Sequence, residues 1–152
     1  MDETRRQVIA AQVNRAVVDY WDEVDSRWGA DAHERYVEGG RFSKMVGKEE
    51  IKAFYDWRKT RGDRSTFHLV LNMKVDVKSE TEATAHYVMM LYAKDGAPVH
   101  EMQVPNTISS AVEEFVKEGD TWKIRSKMLE VVFRGSEPTT IMPDDILKKM
   151  RA

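Results

Sequence analysis

Cysteine is absent from the 152 residues of this chain. Disulfide bonds, thiolate metal ligands and a cysteine nucleophile are therefore excluded. Long apolar runs are missing too, since charged residues interrupt the chain from Asp2 onward and no segment reaches the length of a membrane span or a signal-peptide core. These absences predict a cytoplasmic protein that has no membrane partner.

The chain also lacks an excess of positive charge. Its 24 lysines and arginines are matched by 26 aspartates and glutamates, which gives a net charge of -2. Nucleic acids bind to clusters of positive charge, so we do not expect one as a partner. There is no glycine-rich turn between a strand and a helix, and the four histidines show neither His-x-His nor His-x-x-x-His spacing. We therefore predict no nucleotide cofactor and no metal ion.

The first part of the chain predicts helices. Apolar residues recur at intervals of three and four, which predicts a helix over residues 3–28 that ends at Gly29; they are Ile9, Val13, Ala16, Val17, Tyr20 and Val24. A short helix over Asp31–Val37 and a brief strand over Arg41–Val46 follow. The pattern then predicts a third helix over Lys48–Lys59, with one side formed by Ile51, Phe54, Tyr55 and Arg58.

Residues 65–93 predict two adjacent strands joined by a polar turn at residues 79–82. In the first strand the odd-numbered residues from Phe67 to Val77 are apolar and the even-numbered ones are mixed, which predicts one apolar face. In the second strand, Ala83–Ala93, both alternating sets are largely apolar, so both faces must be covered. We expect helices on one face and a second subunit on the other.

The remainder predicts more strands and a final helix. Residues 99–104 and 108–117 are expected to be extended, separated by Pro105, and a turn at residues 118–120 leads to a long strand over Trp122–Phe133. A short helix is predicted over residues 143–150, because Pro143 precedes two acidic residues and lysines follow. Three helices followed by a four-stranded antiparallel meander predict an α+β fold in a single domain over residues 1–152.

Several segments, in this order, resemble the nuclear transport factor 2-like superfamily and, within it, the SnoaL-like enzymes such as the scytalone dehydratase-like lyases. The resemblance covers about residues 5–134 and rests on Tyr20-Trp-Asp-Glu-Val-Asp25, Gly47-Lys-Glu-Glu-Ile51, Thr66-Phe-His68-Leu-Val-Leu-Asn72, Glu82-Ala-Thr-Ala85 and Glu114-Phe-Val-Lys-Glu-Gly119-Asp-Thr-Trp122-Lys-Ile124. It implies a curved, mainly antiparallel sheet that forms a cone with three N-terminal helices around an apolar pocket. It also implies a homodimer, formed through the outer face of the sheet.

The resemblance also implies a set of pocket residues. Related lyases hold a tyrosine and an aspartate from the first helix and one or two histidines from the strands, positions that Tyr20, Asp25 and His68 match here, with His86 as a second proton carrier. A histidine can take or deliver a proton near neutral pH, a carboxylate can orient it, and a phenol can polarise an oxygen. The expected substrate contacts are Asn72, Arg58, Trp21, Tyr87, Met89 and Glu113.

Some of these assignments leave alternatives open. Asp22, Glu101 or Glu113 could partner His68 in place of Asp25. His86 could lie on a subunit interface, because strand parity does not decide its face. Asn72 is four residues from His68 and is therefore expected on the same face of its strand.

These residues predict a cofactor-independent acid–base lyase. The reaction would be a dehydration or a formaldehyde-releasing elimination on a small hydrophobic substrate, either aromatic, phenolic or cyclic. The alternatives are an isomerase or cyclase that uses the same pocket, and a protein without catalytic activity. The latter would be a ligand-binding module or the small subunit of a ring-hydroxylating dioxygenase, because the fold alone does not define a reaction.

Overall fold

The computed structural model describes residues 1–137 and 143–152. The helices are α1 (Glu3–Arg27), a 3-10 turn (Ala32–Arg35), α2 (Lys48–Lys59) and α3 (Asp144–Arg151). The strands are β1 (Tyr36–Phe42), β2 (Met45–Val46), β3 (Arg64–Val77), β4 (Glu82–Asp95), β5 (Thr107–Glu118) and β6 (Thr121–Arg134). They form one curved sheet in the order β2-β1-β6-β5-β4-β3, antiparallel except between β1 and β6. The predicted α+β fold is confirmed.

Helix α1 supplies the main layer that packs on the inner face of the sheet. Its first turn is capped by Asp2, whose side chain accepts the backbone N–H of Arg5 at 2.7 Å. The predicted spacing places an apolar stripe toward the sheet, where it packs chiefly on β3 and buries Ile9, Val13, Val17, Tyr20, Trp21 and Val24. The C-terminal end of α1 therefore lies beside the first half of β3.

Strand β3 contains a β-bulge that the alternation of its residues did not reveal. Asn72 adopts a left-handed backbone conformation with φ 53°, and the pairing with β4 shifts between Leu71 and Lys74. Before the bulge the odd-numbered side chains point outward, and Phe67 is 71% exposed; after it they point inward, and Val77 is buried. The predicted single apolar face over residues 67–77 is therefore wrong, because the extra residue reverses the parity.

Three further segments differ from the expected elements. The second helix is only one 3-10 turn, because the chain enters β1 at Tyr36, and the predicted strand at residues 41–46 is a hairpin of β1 and β2. β1 joins β6 in parallel, which makes the sheet six-stranded. Residues 99–104 form no strand: Val99 is 99% exposed and pairs with no neighbouring strand.

The outer face of the sheet carries apolar side chains that no described element covers. Exposed or partly exposed residues of β3, β4, β5 and β6 contribute to it, namely Phe67, Leu69, Leu71, Val88, Met90, Val112, Met128 and Val132. None of the helices in the described parts of the chain is long and apolar enough to cross a lipid bilayer.

Candidate active site

An aspartate and a histidine join the end of α1 to β3. One carboxylate oxygen of Asp25, Oδ1, lies 2.6 Å from His68 Nδ1, while Oδ2 accepts the backbone N–H of His68 at 2.8 Å. The hydroxyl of Thr66 donates to Oδ1, also at 2.8 Å. Three contacts from one strand thus fix the carboxylate, and the carboxylate in turn fixes the plane of the imidazole ring.

The surroundings favour the neutral form of His68. Its side chain is only 9% exposed, and burial, assisted by the charges of Arg58 and Lys127, lowers its pKa below the ordinary 6.5 even though Asp25 opposes the shift. Burial alone would raise the pKa of Asp25, but the hydrogen bonds and charge of His68 and the bond from Thr66 lower it. At neutral pH a neutral imidazole therefore faces an ionised carboxylate.

This arrangement leaves one ring nitrogen for chemistry. A neutral imidazole that donates its Nδ1–H to Asp25 carries a lone pair on Nε2. Within residues 1–137 and 143–152, no group hydrogen-bonds Nε2. Since His68 lines a cavity, Nε2 is the nitrogen that a bound molecule can reach.

The cavity has a volume of about 220 Å³ and lies between α1, α2 and the inner face of the sheet. Most of its walls are apolar, formed by Trp21, Val24, Phe42, Met45, Phe54, Met89, Leu91, Ala93, Leu129 and Val131. Its polar lining is formed by Ser43, Lys44, Tyr55, Arg58, Arg64, Thr66, His68, Thr107, Ser109 and Arg134. The mixture of apolar walls and a few convergent polar groups is typical of a small-molecule site.

Trp21 holds the imidazole from one side. The rings of Trp21 and His68 stack with centroids 4.4 Å apart and planes 12° apart. The indole N–H donates to the Tyr87 hydroxyl at 2.9 Å, and that hydroxyl donates to Glu113 Oε1 at 2.5 Å. Tyr87 and Glu113, which we expected to contact substrate, therefore lie behind Trp21 and not in the cavity wall.

Glu113 pairs with a lysine in the core. Lys127 Nζ lies 2.9 Å from Glu113 Oε1, and both side chains are 0% exposed. The ammonium also lies 3.1 Å from the centre of the Tyr20 ring and 4.3 Å from that of Trp21. Burial lowers the pKa of Lys127 to about 8, although Glu113 favours the charged form. Glu113 is thus engaged with Lys127, and among the proposed carboxylates Asp25 contacts His68.

Three phenols form a chain that ends at the cavity. The Tyr36 hydroxyl donates to the Tyr20 hydroxyl at 3.1 Å, and the Tyr20 and Tyr55 hydroxyls lie 2.6 Å apart. When Tyr20, which accepts from Tyr36, gives its own proton to Tyr55, the Tyr55 proton is available to a ligand. Burial raises the pKa values of all three phenols, so they remain neutral donors.

This chain changes the role expected for Tyr20. The side chain is fully buried and does not line the cavity, so it cannot polarise a substrate oxygen directly. Tyr55 does line the cavity, and its ring packs so closely on Gly29 that a Cβ at residue 29 would lie 2.5 Å from it. Gly29 therefore fixes the ring and Tyr20 positions the hydroxyl.

Two other predicted residues need correction. His86 lies on the outer face of β4, half-exposed, with its Nε2 3.3 Å from Asp76 Oδ2. Asn72 is exposed at the bulge and therefore does not share the inner face with His68. Neither residue lines the cavity. The alternation of side chains along β4 turns His86 outward, and the bulge turns Asn72 outward. Arg58, Trp21 and Met89 do line it.

Neither Tyr55 nor Lys127 was predicted as a member of the site. The signal for Tyr55 was present, since it shares the predicted apolar side of α2 with Arg58. Lys127 gave no such signal: a lysine in an amphipathic strand is usually solvent-exposed. Its partner becomes visible only when β5 and β6 pair, because Glu113 then lies directly opposite Lys127.

No cluster of three or more histidine, aspartate or glutamate side chains suited to a metal ion occurs in the described ranges. The side chains that line the cavity include an imidazole at His68, a phenol at Tyr55 and a guanidinium at Arg58.

Comparison with known proteins gives the class of the fold. Among solved structures, a candidate scytalone dehydratase from Novosphingobium aromaticivorans superposes with a TM-score of 0.73 at 18% identity, covering 91% of this chain and 94% of that one. A nuclear transport factor 2-like protein of the same organism gives 0.69 at 17%, covering 88% and 89%. A nuclear transport factor 2-like protein of unknown function from Pseudomonas putida gives 0.67 at 11%, covering 86% and 91%. The fold is thus of the nuclear transport factor 2-like class.

The family follows from the sequence. The SnoaL-like domain profile matches residues 6–127, and the chain belongs to that family. The superfamily includes lyases, isomerases and ligand-binding proteins. None of the curated proteins compared with this chain matches it significantly.

Proposed function

We propose that this protein is a lyase that uses acid–base chemistry to eliminate water or formaldehyde from a small hydrophobic substrate with an aromatic or cyclic body. The observation that carries the proposal is the Asp25–His68 pair, buried beside a largely apolar cavity, with Nε2 bonded to none of the described residues. A base of this kind needs no coenzyme to remove a proton.

In a dehydration, His68 Nε2 takes a proton from carbon and the C–H electron pair becomes the new double bond. The C–O bond breaks, and the departing hydroxide leaves as water after receiving a proton. Tyr55 hydrogen-bonds the departing oxygen or an adjacent carbonyl, and the imidazolium of His68, stabilised by Asp25, returns the proton.

In a formaldehyde-releasing elimination, His68 Nε2 takes the proton of a hydroxymethyl group. The O–H electron pair forms the formaldehyde carbonyl, the C–C bond breaks, and its electron pair passes into the conjugated body of the substrate. The imidazolium of His68 then gives its proton to that carbanion, which restores the neutral base. Both reactions end with a conjugated product, and a water-poor cavity favours both, since charges that develop there are less screened than in bulk water.

The proposal predicts the kind of product. The purified protein should be incubated with phenolic and alicyclic β-hydroxy and hydroxymethyl compounds, with the products followed by mass and ultraviolet absorbance and formaldehyde by a colorimetric assay. We expect a conjugated product lighter than the substrate by the mass of water or formaldehyde. A product of unchanged mass would identify an isomerase. Tight binding of several of these compounds without conversion would indicate a ligand-binding protein.

The outer face of the sheet supports a second element of the proposal, a homodimer. Exposed apolar side chains lie on four adjacent strands of this face, and an apolar patch of this kind marks an interface with another protein. Val112, near the centre of β5, is a suitable test position, and Val18, an exposed valine on α1, is a matched control.

We expect the protein to sediment at twice its chain mass of 17.6 kDa. A charge in the middle of an apolar interface is costly, so Val112→Glu should sediment as a monomer, while Val18→Glu should remain dimeric. A monomeric native protein, or a dimer that persists in Val112→Glu, would contradict the interface.

A further inference from the structure

The charged residues that line the cavity are all of one sign. The lining includes Lys44, Arg58, Arg64 and Arg134 but neither aspartate nor glutamate, although the chain as a whole carries a net charge of -2. Asp25 lies behind His68 and does not reach the wall. A cavity in a slightly acidic protein is thus lined by cations, which favours an anionic ligand.

Arg58 is a buried cation of the lining that has no carboxylate partner among the described residues. It is 6% exposed, and its only hydrogen bond to a described residue is a long one, 3.5 Å from Nη2 to Thr66 Oγ1. No carboxylate of the described residues forms an ion pair with it. A guanidinium that is removed from water without a carboxylate partner costs folding free energy, and a bound anion would offset that cost.

Arg64 places a second donor at the same end of the cavity. Its side chain is 8% exposed; one terminal nitrogen donates to Asp95 at 2.6 Å, but its buried Nε has no hydrogen-bond partner among the described groups. Lys44, in contrast, is paired with Asp144. The buried donors without a full set of partners are therefore the guanidinium of Arg58 and the Nε–H of Arg64, whereas Arg134 is exposed to water.

We propose that the substrate is a carboxylate whose oxygens bind the guanidinium of Arg58, with Arg64 adding positive charge beside it, and whose ring lies against Trp21 and His68. A guanidinium presents paired N–H groups that match the two oxygens of a carboxylate. A carboxylic acid is ionised at neutral pH whereas a simple phenol is not, so the same donors discriminate in favour of the acid. The statement that this ligand is the substrate rests on the proposed function.

The test uses two unreactive probes that differ only in charge. 2-Naphthoate and 2-naphthamide have nearly the same shape, and their binding near pH 7.5 can be measured by calorimetry or by quenching of tryptophan fluorescence. We expect naphthoate to bind more tightly by about tenfold to a hundredfold, the effect of replacing a neutral hydrogen bond by a charged one.

Variants of Arg58 test whether this residue causes the preference for the charged probe. In Arg58→Gln, the affinity for naphthoate should fall by at least about tenfold, while the affinity for naphthamide should change little. Arg58→Lys keeps the charge but not the paired N–H groups of the guanidinium, so its affinity for naphthoate should be intermediate. The control is Arg125→Gln, an exposed arginine paired with Glu82 and outside the cavity lining, which should bind both probes as the native protein does. Circular dichroism checks the fold of each variant.

The inference is overturned if native protein binds naphthamide as tightly as naphthoate, if it binds neither, or if folded Arg58→Gln keeps the preference. If Arg58→Gln does not fold, the comparison of the two probes in the native protein and in Arg58→Lys still decides. The measurement involves no turnover, so it is independent of catalysis: failure to find an elimination product would leave a carboxylate preference intact. Conversely, an active lyase without that preference would refute only this inference.

Discussion

Replacing His68 by alanine is expected to lower kcat/KM by about 10²- to 10⁴-fold, the usual contribution of a positioned general base. The reason is that Nε2 of His68 is the base that the cavity presents, with Nδ1 held by Asp25 at 2.6 Å. Because the apolar walls remain, substrate binding should change far less than kcat, so steady-state kinetics on the product-forming substrate separate the two effects.

The pH dependence tests the same residue independently. Burial lowers the pKa of His68 below 6.5, and the active form of a general base is the deprotonated one. kcat/KM should therefore be constant at neutral pH and fall as the pH drops through a pKa below 6.5. If kcat/KM instead falls through a pKa above 6.5, the assignment of a buried, neutral His68 as the base is contradicted.

Two companion variants provide controls. Asp25→Asn removes the charge that orients and stabilises the imidazole, so we expect a large loss in kcat with retained fold. His86→Gln changes the histidine that lies outside the cavity, paired with Asp76, and should leave kcat/KM unchanged. Full activity of His68→Ala would refute the proposed mechanism without affecting the assignment of the fold. A loss of activity in His86→Gln as large as that in His68→Ala would refute it as well.

The sequence predicted the part of the site that local spacing controls. Asp25 lies in the last turn of a helix whose apolar stripe is plain in the sequence, and the segment from Thr66 to His68 matched the family at the start of a strand. Helix and strand meet because α1 packs on β3. The contact between Asp25 and His68 therefore follows from two local elements and one packing arrangement.

Other features depend on geometry that no local pattern contains. The bulge at Asn72 reverses the faces of β3 by a single residue with positive φ, whereas the alternation continues through it unbroken. Tyr20, which was expected to polarise a substrate oxygen, lies too deep to line the cavity, and Tyr55 on α2 lines it instead. Each requires distances between elements, which periodicity cannot supply.

The second large effect concerns stability. Lys127→Met is expected to lower the free energy of unfolding by about 3–5 kcal/mol, because it leaves the carboxylate of Glu113 buried without its cation. Among the residues that the structure describes, Tyr87 would then be the one hydrogen-bond donor left to that carboxylate. Urea titration followed by fluorescence measures the change, and a thermal midpoint lower by roughly 10 °C is expected for a chain of this length.

The double variant Glu113→Gln/Lys127→Met separates charge from packing. An amide oxygen at residue 113 can still accept the Tyr87 hydroxyl, and no unpaired charge remains, so most of the lost stability should return. Arg125→Met, which breaks an exposed ion pair with Glu82, should cost less than about 1 kcal/mol. If the double variant is as unstable as Lys127→Met alone, the stabilisation comes from the contacts of the lysine with Tyr20 and Trp21, and the argument from an uncompensated carboxylate is wrong.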